Sequence, residues 1–127
     1  IGAGMIGELP EALSLIEFFQ LVKKELHAEV IRHTNPVTNK VQRIAVCGGS
    51  GSFLLQTAMR AKADVFLTAD FKYHQFFDAE NEIVVADIGH YESEHLIIPW
   101  IGAELTRKFP NFAIHLTKVN TNPVKYY

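Results

Sequence analysis

The sequence predicts a layered α/β domain, a mostly parallel sheet with helices on both faces. Three observations carry that reading. Short apolar runs rich in β-branched residues alternate with stretches whose apolar residues recur at helical spacing. Three strand-then-helix units follow one another, the pattern that lays strands parallel. The chain has 127 residues, which suits one domain and lets roughly two-thirds of the unfolded surface be buried.

Each element has a local cause. Ser14 with Glu17 three residues later has the spacing of a capping box ahead of an apolar run. Leu15, Ile16, Phe18, Phe19, Val22 and Leu26 then share a face, while Lys23, Lys24 and Glu25 point outward, so a helix is expected over 14–26. Glu29–His33 reads as a short extended stretch closed by Asn35-Pro36 and Asn39. Arg43–Cys47 is a buried strand that runs into Gly48-Gly49-Ser50-Gly51-Ser52, and a helix is expected from Phe53 to about Ala61. Asp64–Leu67 is a second buried strand, 71–80 a helix, and Ile83–Ala86 a third strand. A longer amphipathic helix is expected over 92–108, then a last strand at Phe112–Leu116 and an extended tail over 118–127. No element is expected before Ser14, where Gly2, Gly4, Gly7 and Pro10 punctuate the chain. Residues 1–127 thus read as a single domain. Because it opens on Ile1 and not Met, a fragment of a longer protein is expected, either a cut-out domain or a tail.

Composition narrows the function classes. With 48% hydrophobic and 20% charged residues the chain is globular, since disorder requires fewer apolar residues. Twelve basic against fourteen acidic residues give a net charge of −2, which argues against a broadly basic nucleic-acid surface. A single cysteine, Cys47, excludes an internal disulfide framework and suits a reducing compartment, so a cytoplasmic protein is expected. No apolar run approaches the roughly 20 residues of a membrane-spanning helix.

In parallel sheets ligands collect at the carboxyl ends of the strands. Three such ends carry unusual residues here: 48–52, Thr68-Ala69-Asp70, and Asp87 through Glu94. Gly48, Gly49, Ser50 and Gly51 read either as a tight, closely packed turn or as a cradle of backbone N–H groups for an anion. His74 and Asp78, four apart on an expected helix, form either a metal-facing pair or a local hydrogen bond. His90 and Glu94 are also four apart, where a strand gives way to a helix, and both could reach one ion at ~2.0–2.2 Å. Two ligands are too few for a complete site, so others would have to come from elsewhere. Cys47 reads as a small core residue.

Four segments, taken in order, resemble the C-terminal part of one family. They are Gly4-Met5-Ile6-Gly7-Glu8-Leu9, Ile44-Ala45-Val46-Cys47-Gly48-Gly49-Ser50-Gly51, Ala63-Asp64-Val65-Phe66-Leu67-Thr68-Ala69-Asp70 and Asp87-Ile88-Gly89-His90-Tyr91-Glu92-Ser93-Glu94. The family is the dinuclear-metal group called GTP cyclohydrolase I type 2 homologues, or Nif-three-like proteins. The resemblance implies one lobe of a two-lobed fold with two divalent ions (Zn, Fe or Mn) held between the lobes, in a homo-oligomer built as a hexameric ring. It implies His90 and Glu94 as this lobe's metal ligands. The family's other ligands, a His-His pair and an Asp, lie in an N-terminal lobe, and this chain has no His-His pair. Asp70 and His74 become candidates for supporting or proton-handling roles, although Ala69 stands where the family has glycine.

Two function classes follow. One is a metal-dependent, hydrolase-like enzyme acting on a nucleotide or phosphate-containing small molecule. The other is a non-catalytic metal-binding, metal-delivery or protein-interaction adaptor. Nucleic acid and membrane are not expected as partners. A lobe parted from its partner is expected to self-associate through the 14–26 helix or the stretch Phe71, Tyr73, Phe76, Phe77.

Overall fold

A computed structural model describes residues 2–127. Its sheet has five strands: β1 (Met5–Leu13), β2 (Arg32–His33), β3 (Val41–Ser50), β4 (Val65–Ala69) and β5 (Val84–Asp87). They lie in the order β1-β3-β4-β5-β2. The central trio β3, β4 and β5 is parallel, and both edge strands run antiparallel to their neighbours. The mostly parallel expectation therefore holds for the centre, where β4 and β5 are buried along their whole length and nearly all apolar.

Alternation along the strands divides the core into two layers. Ile44, Val65, Leu67, Val84 and Ala86 face one way and pack against Leu15, Phe18 and Val22 of α1 (Leu15–Leu26). Ala45, Cys47, Phe66 and Val85 face the other way, meeting Leu55 and Ala58 of α2 (Leu55–Arg60), with Phe71 and Ala79. The capping box is realised: Glu17 N donates to Ser14 Oγ (3.2 Å) and Ser14 N to Glu17 Oε2 (2.9 Å). Helix α1 ends at His27, which takes a left-handed conformation.

Four expectations are corrected. The opening is a strand after all: β1 pairs from Met5↔Val46 to Glu8↔Arg43, and Glu8 adds an ion pair to Arg43 at 2.7 Å. Pro10 hid it. It sits on an edge strand, in the irregular stretch between the Glu8 and Leu13 pairings, where its missing N–H costs no regular ladder bond. Next, Tyr73–Ala79 is a 3₁₀ helix, not an α-helix. Three residues per turn put His74 and Asp78 on different faces, which removes the reason for pairing them. The helix expected over 92–108 is two helices, α3 (His90–Glu94) and α4 (Ile97–Lys108). Pro99 explains the break, because it has no N–H to give His95 and would clash with that carbonyl in a continuous helix. In its place Ile98 N reaches His95 O at 3.4 Å. Finally, Phe112–Leu116 is not a strand. The free edge of β5 is taken by β2, and Leu116 instead lies over Gly102 of α4, where a Cβ would stand 2.5 Å from Leu116 Cδ2.

Among the described residues no helix is long and apolar enough to cross a membrane. The expected sticky surfaces are mixed. Phe18, Val22 and Phe71 are buried, while Ile16, Tyr73 and Phe77 are exposed. A further group of exposed apolar side chains lies on and after α4: Ile97, Trp100, Ile101, Phe109 and Phe112.

Phe66 is only 1% exposed at the centre of the second layer. Urea unfolding should therefore show Phe66→Ala losing about 3–5 kcal/mol. Ser14→Ala should lose only about 1 kcal/mol, for the cap. Equal losses would contradict this assignment of the core.

Candidate functional site

Because β3, β4 and β5 run in parallel, their carboxyl ends deliver three short segments to one edge of the sheet: 48–51, 68–70 and 87–90. Asp87 ties them. Its carboxylate is 4% exposed; Oδ2 accepts from Phe71 N (2.9 Å) and pairs with the Arg32 guanidinium, and Oδ1 accepts from Gly89 N (3.0 Å). Arg32 Nη2 also donates to Phe71 O at 3.0 Å, and the guanidinium lies 5.4 Å over the Phe76 ring. One buried charge is thereby balanced and hydrogen-bonded, the condition for keeping it out of water.

From Asp87 the chain turns through Gly89, whose φ of +95° favours glycine, and enters α3. A Cβ on Gly89 would run into the Glu92 carboxylate. The first and last residues of α3 are His90 and Glu94, with Nε2 and Oε2 3.2 Å apart. The other ring nitrogen, Nδ1, is 2.6 Å from Asp70 Oδ2. Asp70 holds a left-handed conformation with φ +59°, which Asp tolerates better than most residues. The backbone freedom that Ala69 seemed to remove is thus exercised by Asp70 itself, while Ala69 is a fully buried strand residue. About half of each of these three side chains is exposed (Asp70 47%, His90 53%, Glu94 50%), so the constellation faces outward and can be completed from outside.

The hydrogen bond to Asp70, and after it the charge of Glu94, hold the His90 imidazolium above the ordinary histidine value, with partial burial opposing. Asp70 thereby fixes the ring so that Nε2 is the nitrogen turned toward Glu94, the arrangement a metal-binding imidazole usually has. Two donors on one tetrahedral ion at ~2.0–2.2 Å lie roughly 3.3 Å apart. The separation of Nε2 and Oε2 matches, and an imidazole with a carboxylate is a donor set that zinc, iron and manganese all accept. The residues present fit a metal. Yet among the described residues no three His, Cys, Asp or Glu side chains converge to hold one.

The glycine segment has a different task from an open loop. Gly48, Gly49 and Ser50 continue β3, and Ser50 pairs with Ala69. Gly49 lies beneath the His90–Glu94 pair: at φ +63°, its Cβ would stand 2.5 Å from Glu94 Oε1 and 3.1 Å from His90 Cε1. Its N–H donates to Ser93 Oγ (2.8 Å), Ser93 Oγ donates to His90 O (2.8 Å), and Gly49 O accepts from Thr68 Oγ1 (3.1 Å). Gly51 is packed against Cys47 and Thr68. Close approach accounts for Gly49 and Gly51.

His74 is exposed and does not line the cleft beside His90 and Glu94. Sequence reading missed Arg32, Glu92, Ser93, His95 and Tyr126, which all border the pair or the cleft of about 640 Å³ next to it. For Ser93 and Glu92 the local signal was present, since both fall within the flagged 87–94 stretch. Arg32 and Tyr126 reach the cleft from distant parts of the chain and left none.

The family model Duf34/NIF3 (NGG1p interacting factor 3) matches residues 1–123. A "GTP cyclohydrolase 1 type 2 homolog" of Staphylococcus epidermidis is 35% identical over 130 residues, covering 98% of this chain and 35% of the relative. One so named from Campylobacter jejuni is 36% identical over 107 residues, covering 84% and 42%. Among solved structures, a Staphylococcus aureus protein superimposes with a TM-score of 0.88 at 28% identity, covering 98% of this chain and 42% of that one. A Bacillus cereus protein related to NIF3 gives 0.81 at 29% identity, covering 99% and 36%. The chain spans about a third of the length of the staphylococcal relative it matches.

In the metal-free chain, an NMR titration should place the His90 midpoint above the ordinary value of about 6.5. Asp70→Asn should lower it. The sign for stability follows: the His90–Asp70 pair stabilises the fold at acid pH, and that contribution disappears as pH rises through the folded-state value. Half exposure keeps the effect small. A midpoint at or below the ordinary value would contradict the Asp70–His90 bond.

Proposed function

We propose, for a chain that belongs to the Duf34/NIF3 family, that His90 and Glu94 are one lobe's share of a dinuclear metal centre in a hydrolase-like protein. The observation that carries this reading is the Asp70–His90–Glu94 line, with Nδ1 anchored by Asp70 and Nε2 at ligand spacing from Glu94 Oε2. Asp70 positions the ring, and Gly49 leaves room for both side chains. The carboxylate of Glu94 would supply oxygen ligands to the centre. The remaining ligands come from an N-terminal lobe, in keeping with the half-exposed face these residues present.

When bound, two close divalent ions (Zn, Fe or Mn) supply a water of lowered pKa and a clamp for the attacked group. This chain's own part is to hold the centre, keep His90 Nδ1 on Asp70 so that Nε2 is the nitrogen offered to an ion, and line the adjoining cleft. The substrate class is a nucleotide or another phosphate compound. Nothing among the described residues obliges catalysis: Asp70 is committed to His90, Ser93 to His90 O and Gly49, and Cys47 is buried. A metal-delivery or interaction adaptor is therefore the second reading.

The free, buried Cys47 suits a cytoplasmic protein. The apolar side chains exposed on and after α4 would be covered by the second lobe or by another subunit of a hexameric ring. A net charge of −2 leaves nucleic acid out of the reading.

Elemental analysis of the two-lobed protein should find about two divalent ions per chain. His90→Ala and Glu94→Ala should each lose them, and residues 1–127 alone should bind Zn²⁺ or Fe²⁺ more weakly than the millimolar range. Submillimolar, His90-dependent binding by the 127-residue chain would overturn the shared-site reading. Turnover from a nucleotide and phosphoester panel by the metal-loaded protein supports the enzyme; tight metal without turnover supports the adaptor.

A further inference from the structure

The C-terminal tail has no regular secondary structure, yet it walls the cleft beside His90 and Glu94, bringing Thr121, Asn122, Pro123, Val124 and Tyr126 to it. One residue does most of the holding. Asn122 Oδ1 accepts from Val124 N (3.0 Å) and bends the chain around Pro123, while Asn122 Nδ2 donates to Glu92 Oε1 (3.2 Å). Asn122 N in turn donates to Asn120 Oδ1 (2.8 Å). Asn122 is the one residue of 118–127 that is not freely exposed. Its partner, Glu92, is 7% exposed in the first turn of α3, between His90 and Glu94 in sequence. A buried carboxylate needs such a donor, and losing it would take this hydrogen bond from Glu92 Oε1.

We propose that residues 121–126, pinned by Asn122 on Glu92, form a specificity wall that contacts the body of a small molecule whose anionic head lies at His90 and Glu94. The anionic head rests on the metal reading above; the wall does not. The cleft, about 640 Å³, has the size of a metabolite site. Val30, Ile98, Val124 and Tyr126 give it an apolar lining, as a flat organic body requires. The charge of Asp87 is balanced by Arg32, and bound divalent ions would offset the carboxylates that remain around the head. Burial first, and then Glu92 and Asp87, push the Tyr126 phenol above its ordinary value, so its hydroxyl stays protonated and able to donate.

The test uses phenyl phosphate, a flat ring on an anionic head, with inorganic phosphate as the head alone. Saturation-transfer NMR would be run on the two-lobed protein as wild type, Asn122→Ala, Tyr126→Ala and Tyr73→Ala, with metal content measured on each sample. The expected result is strong saturation of the ring protons in wild type and Tyr73→Ala, competition by inorganic phosphate, and unchanged metal content throughout. Asn122→Ala and Tyr126→Ala should each weaken phenyl phosphate about tenfold, the scale of one lost charge-assisted hydrogen bond or apolar contact. Tyr126→Ala leaves the pin intact and so reports on the wall even if Asn122→Ala disturbs folding. Ring saturation that is absent in wild type, or equal in all four proteins, overturns the wall. Saturation that depends on Asn122 in a protein without metal keeps the wall and removes the metal reading. Metal-loaded protein with no dependence on the tail does the reverse.

Discussion

The buried carboxylate of Asp87 is the constraint on which the site depends. It ends β5, receives the backbone of Phe71 after β4 and of Gly89 before α3, and is balanced by Arg32 from the edge strand β2. Each of those bonds fixes one wall of the edge where His90, Glu94 and Asp70 meet. The energetics favour keeping them together: a charge this deeply buried is tolerated only while paired, and removing one partner of such a pair is strongly destabilising. The sheet supplies the direction, because three parallel strands end on the same side. Asp87 supplies the registration between the ends of β4 and β5 and the edge strand β2.

Above that node the site is assembled from close approaches. Gly49 has no Cβ, so Glu94 and His90 can lie against the backbone of β3. Gly89 has none either, which admits Glu92 and the sharp entry into α3. Asp70 adopts a left-handed conformation at the end of β4, and its carboxylate meets His90 Nδ1. A histidine held at one nitrogen and offered at the other is prepared to bind before anything arrives. The half-exposed face of the trio is consistent with a centre shared between lobes, and the chain's span of about a third of its staphylococcal relative's length leaves room for that second contribution.

Much of this was legible in the residues. The Ser14–Glu17 cap, the apolar runs of β3 to β5 and the His90–Glu94 spacing are local signals, and local signals survive the absence of tertiary information. What escaped were features set by context. The edge strand β1 carries exposed residues and a proline that an edge tolerates but a central strand would not. The 3₁₀ helix at Tyr73–Ala79 differs from an α-helix by bonding that apolar periodicity over seven residues does not resolve. Pro99 is a local signal for a break, but the apolar periodicity on either side of it reads as one continuous helix. Arg32 and the tail residues Asn122 and Tyr126 are distant in sequence from the stretch they serve, and only the folded chain brings them to the cleft.

The central claim is that His90 and Glu94 hold metal with their geometry set by Asp70. Anomalous diffraction from crystals of the zinc-loaded protein tests it most directly. The account predicts an anomalous peak at about 2.0–2.2 Å from His90 Nε2 and from a Glu94 oxygen, with His90 Nδ1 still on Asp70. A peak coordinated elsewhere, or a His90 ring turned so that Nδ1 faces the ion, would contradict it.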